Sequence, residues 1–244
     1  MPRGYVIYDG PSMLTGEPIV AIATLHSVNG KTGDMVQTWI LCRDIDPVGA
    51  IKSGDDIAIC GNCKSRGVRG KKRKCYVQVA RAPLGIWGAY QRGMYPRAVG
   101  HAAIADIGRG RKVRHGAYGD PAAVPGYIGE SLDSAAEGHT AYTHQSAWAG
   151  AAVDVSRMMV SADSLEEAQA ACAIGARTFR VVGSLAEMVP GQEAPCPASH
   201  EMRAKLGKRI QCVDCMLCDP KKHAKSIVIP AHGAGKKHHS AAAA

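Results

Sequence analysis

Phenylalanine occurs once in these 244 residues, and tyrosine and tryptophan add only eight and three more rings. So sparse a set argues against binding single-stranded nucleic acid by stacking successive bases on aromatic side chains. No run approaches the about 18 consecutive apolar residues of a membrane-spanning helix, and the opening MPRGYVIYDG lacks the apolar core of a signal peptide. An intracellular, cytoplasmic protein with no membrane partner is therefore expected. There is no nucleophile-elbow sequence, and the glycine-rich stretches GVRGKK and GRGRK do not lead from a strand into a helix as a phosphate loop would. Acidic residues are in the minority, 21 against 30 Lys and Arg, which leaves a formal charge of +9. The excess is local: KSRGVRGKKRK (64–74) carries seven basic residues and no acid, and GRGRKVRHG (108–116) adds four. These loops are candidate contacts for a nucleic acid or nucleotide substrate, with a merely solvated basic surface as the alternative.

What the chain does have is cysteine. Seven of its nine cysteines fall in two clusters, and in a reducing compartment such clusters point to metal ligands before disulfides. The first is Cys60, Cys63 and Cys75 in CGNCKSRGVRGKKRKCY, a CxxC pair with a third cysteine after an eleven-residue gap. Three thiolates with one vacant position suit a [4Fe–4S] cluster that leaves one iron open to a small molecule; zinc, with Cys42 or His26 as fourth ligand, is the alternative. The second is Cys196, Cys212, Cys215 and Cys218, spaced C-x15-C-x2-C-x2-C. Four cysteines close a site, either tetrahedral zinc or an all-cysteine iron–sulfur cluster, and the tandem CxxCxxC leans towards the latter. His223 and His232 leave a zinc set of three cysteines and one histidine open. The lone Cys42 and Cys172 read as small buried hydrophobes.

The remaining pattern predicts an α/β fold. PIVAIATL (18–25) and MVQTWILC (35–42), separated by an Asn-Gly turn, predict an N-terminal β-hairpin. DPVGAIKSG predicts a helix capped by Asp46, opened by Pro47 and stopped by Gly54, and DDIAIC a strand running into Cys60. From residue 75 strands alternate with helices: a helix in YVQVARAPLGIWGAYQRG, strands at 112–120, 139–145, 157–163, 177–183 and 225–233, a helix from Pro125, and the clearest helix in SLEEAQAACAIG. That last helix has Ser164 as cap, Glu167 completing a capping box and Gly175 as stop. The alternation implies a parallel sheet, read here as a partial βα barrel (57–233) behind the hairpin region (1–56), with a cysteine-rich metal-binding insert (194–222) and a disordered tail (234–244).

Polar residues gather where the strands stop: Arg114, His115, Tyr118 and Asp120; His144 and Gln145; Asp163. Carboxyl ends of barrel strands line active sites, so these form a candidate ligand rim, although loops that follow strands are polar for ordinary reasons too. Asp120 and Asp163 are candidates for nucleophile and general base in a base-exchange or base-modifying enzyme with structural zinc. The competing roles are a turn in GDP for Asp120 and a helix-start position for Asp163.

GAYGDP, GHTAYTHQ, MVSADSLEEAQAACAIGARTFRVV, APCPASHE, CVDCMLC and IVIPAHG resemble a group of uncharacterised bacteriophage proteins related to the phage gene product 88 family, across most of residues 35–233. In arrangement that group is similar to radical S-adenosylmethionine enzymes. The resemblance implies a reactive cluster on Cys60, Cys63 and Cys75 with S-adenosylmethionine at the open iron, and an auxiliary cluster on Cys196, Cys212, Cys215 and Cys218. It also implies that Arg114, His115, Tyr118, Asp120, His144, Gln145 and Asp163 face cofactor or substrate. The spacing departs from the usual CxxxCxxC of those enzymes. A non-enzymatic, zinc-stapled nucleic-acid-binding protein is the reading from a different class, its affinity falling steeply with salt.

Overall fold

The structure is a computed structural model that describes residues 2–66, 73–145, 153–222 and 225–232. Two five-stranded sheets carry the fold. In the first, β1 (Gly4–Pro11), β2 (Pro18–Thr24) and β3 (Val36–Cys42) pair antiparallel, and β4 (Lys112–Tyr118) and β5 (Gly138–Thr140) then add in parallel. The second runs in the order β6 (Tyr142–Thr143), β7 (Met159–Ala162), β8 (Thr178–Val182), β10 (Ser226–Pro230) and β9 (Glu193–Pro195), parallel throughout. Only Ala141 separates β5 from β6, and its carbonyl accepts from the Met159 amide, so the sheets meet along one stretch of chain. The expected hairpin and parallel α/β character are present. β1, β9 and the helix α4 (His101–Gly108) are additions to the predicted set.

Helix α1 (Pro47–Ser53) forms as its sequence dictates: Asp46 accepts from the Val48 and Gly49 amides, and Gly54 stops it at φ 92°. Removing such a cap costs about 1 kcal/mol. DDIAIC is a correction, because Ile57–Cys60 is a helical turn, α2, and not a strand. The reason is edge occupancy. Both sides of β3 are already paired, with β2 and β4, so this short apolar run finds no free ladder and instead buries Ala58 and Ile59 while Ile57 stays exposed. Helix α3 (Ala82–Gln91) covers β3, and the Trp87 indole donates to the Cys42 carbonyl.

The core of the first sheet is Ile19, Val20, Ile22, Val36, Ile40, Leu41 and Val113, closed on one side by Ile104 of α4 and by Ile128 and Leu132 of α5 (Gly126–Asp133). Gly108 lets α4 and α5 approach, since a Cβ there would stand 2.1 Å from the Leu132 carbonyl oxygen. α6 (Leu165–Ala173) crosses from β7 to β8. Ser164 caps it, but the Glu167 carboxylate takes the Asp163 amide, 2.8 Å, in place of the Ser164 amide that a capping box would use. α7 (His200–Leu206) and the single turn α8 (Cys212–Cys215) complete the chain. Arg180 and Glu193 form a buried two-point ion pair, 2.9 and 2.7 Å, which ties β8 to β9. No helix of the described residues is long and apolar enough to cross a membrane, and the tail from 233 lies outside them.

Candidate metal centres

The three-cysteine loop is assembled by backbone bonds. The Cys63 amide donates to the Cys60 carbonyl, and the Ser65 carbonyl accepts from both Lys74 and Cys75, which returns Cys75 to the CxxC turn. Beneath lies Asp56, 1% exposed, paired with Arg66 at 3.1 Å and Arg73 at 3.8 Å. Burial lifts its carboxyl above the ordinary range in spite of both guanidiniums. Two members of the first basic run thus point inward; residues 67–72 lie outside the described residues.

The loop stands over the carboxyl ends of the parallel strands. Gln145, two residues past β6, donates to the Cys60 carbonyl at 3.0 Å and to Asp120 at 2.9 Å, while its side-chain oxygen accepts from the Asn62 amide. Gly61 makes this possible: at φ 51°, a Cβ would sit 2.1 Å from that oxygen. Lys64 pairs with Glu167 at the start of α6. Cys60 lies within electrostatic reach of Cys63, Cys75 and Asp120, and Cys63 of Cys75 and Asp163. Burial raises both thiols, that of Cys63 to about 12. Buried Tyr118 also neighbours Cys60 and Cys42, and among the described residues its hydroxyl has no hydrogen-bond partner.

The four-cysteine segment docks at the opposite, amino ends. The Cys212 and Val213 amides donate to the Lys31 and Thr32 carbonyls of the β2–β3 turn, and Lys112, at the start of β4, donates to the Val213 carbonyl. Arg177, just before β8, donates to the carbonyls of Leu217, Asp219, Lys222 and Lys225 and so clasps the chain on both sides of the last cysteine. Cys218 is within electrostatic reach of Cys196, Cys212 and Cys215, and the Tyr142 hydroxyl is hydrogen-bonded to its sulfur. Burial pushes the Cys218 thiol to about 12; Lys31 opposes the rise at Cys196, and Arg114 and Lys31 oppose it at Cys212.

Among the described residues no group of three or more His, Cys, Asp or Glu is arranged to hold a metal ion. The thiols of each set share a neighbourhood without a closed ligand geometry. Their chemistry nevertheless suits a soft metal: both sets group sulfurs, and cations that favour thiolates stand beside the four-cysteine set.

The predicted rim divides. Gln145, Asp120, His144 and Asp163 lie by the three-cysteine loop, with His144 near Glu167 and Asp163 exposed. Arg114 faces the other way along the sheet, donating to the Tyr76 hydroxyl at 3.2 Å and lying near Tyr142 and Cys212. His115, the next residue, points from the opposite face and meets Asp133 at 2.7 Å. Asp120 is a joint: one oxygen accepts from the Ala122 amide, the other from Thr143, the His144 amide and Gln145. In the second basic run Arg109 pairs with Asp106, Arg111 donates to the Leu25 carbonyl and Lys112 to Val213, so much of it is engaged internally. Cys42 is buried, its thiol directed at the Asp55 carbonyl, and Cys172 is exposed. His232 donates to the Pro230 carbonyl, and His223 lies outside the described residues. Asp56 and Arg177 were missed as site-shaping residues, because each acts on a segment distant in sequence. No family model, curated protein or solved structure matches the chain.

Proposed function

We propose that this is an iron–sulfur enzyme of radical S-adenosylmethionine-like character, in keeping with the resemblance to phage proteins, with Cys60, Cys63 and Cys75 as the reactive centre and Cys196, Cys212, Cys215 and Cys218 as a supporting one. The observation that carries the reading is the bond from Gln145 to the Cys60 carbonyl. It holds the CxxC turn over the carboxyl ends of parallel strands, where α/β folds place their ligands. A [4Fe–4S] group on three thiolates supplies one-electron chemistry and an open iron position, which we assign to S-adenosylmethionine. Around it this chain's own groups bind and orient: Tyr118 offers an unpaired hydroxyl donor, Gln145 fixes the loop, and Asp163 and His144 border the approach from β7 and β6. The second set would be coordinatively full with four cysteines, and its clasp by Arg177 suits support or electron relay. The substrate we assign is a nucleotide or nucleic acid, met through the 64–74 loop, in a cytoplasmic setting.

The test is anaerobic purification followed by iron, sulfide and zinc analysis. Brown protein absorbing near ~400 nm and bleaching in air is expected, with 5′-deoxyadenosine formed on reduction with S-adenosylmethionine. Cys63→Ala should lose that product and remain folded, while Cys215→Ala should mainly damage folding. Colourless protein loaded with zinc would overturn the reading in favour of a zinc-stapled protein, catalytic or nucleic-acid-binding.

A further inference from the structure

A cleft lies on the face of the first sheet that carries His115, and no cysteine lines it. Its volume is about 230 Å³, somewhat below the roughly 300–1,000 Å³ usual for ligand pockets. Ile7 and Ile40 from the sheet, Val124 and Ile128 from the α5 region, and Met158 form apolar walls. One end is polar and built. Asp133, the last residue of α5, is buried and accepts from His115 Nε2 at 2.7 Å and from an Arg157 guanidinium nitrogen at 2.6 Å, with His139 Nδ1 standing 3.4 Å away. The parallel register of β4 and β5 makes this meeting possible, because pairing Val113 with His139 leaves His115 just beyond it on the same face.

The hydrogen-bond inventory of this end is unequal. His139 donates its Nε2 proton to the Arg157 carbonyl at 3.0 Å. Arg157 bridges Asp133 and Glu130. His115 spends Nε2 on Asp133, and among the described residues no protein group bonds its Nδ1. An acceptor carboxylate on Nε2 keeps the proton there, so Nδ1 of the neutral ring carries a lone pair. The ring is only 7% exposed and lines the cleft. Charge at this end is net acidic: Asp133, Glu130 and Asp154 line it against the single guanidinium of Arg157. An anion entering would meet uncompensated carboxylates, and a wholly apolar molecule would cover Nδ1 and leave it unpaired.

We infer that this cleft is a small-molecule site for a compact, largely apolar compound bearing one hydroxyl or amine donor, which it presents to His115 Nδ1. The site is independent of the cysteine centres and of the function proposed for them. The apolar body fills the space between Ile40 and Ile128. Asp133 is a positioning residue, fixing the ring and its tautomer from behind.

p-Cresol is the probe, with toluene as the same shape without a donor and benzoate as the anion. Titration of full-length protein is followed by the His115 Hε1–Cε1 NMR signal, assigned with the variant His115→Gln, which keeps a donor for Asp133 but has no basic nitrogen. Saturable shifts with p-cresol are expected, with about tenfold preference over toluene, the worth of one well-made hydrogen bond, and with benzoate weaker than either. His115→Gln should erase the preference. Gly129→Leu provides an arm that keeps both His115 and Asp133: a Cβ there stands at ordinary contact distance, 3.5 Å from Arg157 and 3.9 Å from His115. Its side chain should fill the cleft and abolish binding of all three probes while the thermal midpoint holds or rises. The inference is overturned if p-cresol produces no saturable shift up to its solubility limit, if toluene or benzoate binds as well, or if Gly129→Leu leaves binding intact.

Discussion

Asp120 and Gln145 face each other at 2.9 Å across the line where the two sheets meet, and Gln145 passes the connection on to the Cys60 carbonyl. A carboxylate at the end of β4 is thereby coupled to the turn that carries the first two cysteines. The same oxygen of Asp120 also accepts from Thr143 and the His144 amide, so it has little left to offer a substrate.

Asp120 therefore separates stability from chemistry. Asp120→Ala leaves buried donors from Ala122, Thr143, His144 and Gln145 without their acceptor, at about 3 kcal/mol of folding stability. Asp120→Asn keeps the volume but turns an amide hydrogen against at least one of those donors, and should cost a smaller part of that loss. Urea unfolding of the two variants beside wild type checks the order. A variant that is fully stable yet inactive would return Asp120 to the nucleophile role.

Arg177 acts on the other centre. Its guanidinium joins four carbonyls between Leu217 and Lys225, and burial holds its pKa below the ordinary arginine value against the upward pull of Cys218, Asp219 and Tyr142. Lysine has one nitrogen to offer and cannot span that set. Arg177→Lys and Arg177→Ala should both free the loop, seen as faster amide exchange confined to residues 217–225 and as quicker loss of metal to a chelator. Uniform loosening of both sheets would instead make Arg177 a general core residue.

The elements legible in the sequence were those written locally. The cap and stop of α1, Ser164 at the start of α6 and the β2–β3 hairpin all depend on residues a few positions apart, and all stand where their sequence puts them. DDIAIC could not be read this way, because whether it is a strand depends on a free edge of β3, which only β4 decides. The rim was half legible for a similar reason. Period-two alternation separates Arg114 from His115, but which face holds the cysteines follows from segments some hundred residues away. Asp133 sits at the end of a helix in LDSAAEG and gives no local sign that His115, Arg157 and His139 converge on it.

Thiol reactivity should rank by burial. Burial, with Asp56 and Asp55 adding repulsion, pushes the Cys42 thiol to about 12, whereas Cys172 is exposed. At pH 8 a thiol of that pKa is about one ten-thousandth thiolate, so native Cys42 should react with iodoacetamide at least about 100-fold more slowly than Cys172. Mass mapping after timed alkylation reads the ratio directly. Comparable rates would mean that β3 and α3 open readily over Cys42.

His139 sets an acid limit on stability. Burial depresses its pKa below 6.5, against the pull of Asp133 and with His115 adding repulsion; Asp219 also pulls upward, and Arg157 supplies the carbonyl that accepts its proton. The folded state thus favours the neutral ring more than the unfolded chain does. Between the unfolded value near 6.5 and the lower folded value, the unfolded chain binds more protons, so stability falls as pH drops through that window and is retained above it. The loss is complete once pH lies below the folded value, where both states carry the proton. His139→Gln lacks the titrating group, and although it starts less stable it should lose less between pH 7.5 and 5.5 than wild type does. Urea midpoints of both proteins at the two pH values supply the comparison, and the difference between the two losses isolates His139 from the groups common to both. Equal losses would show that His139 keeps an ordinary pKa in the folded protein and that the acid limit lies elsewhere.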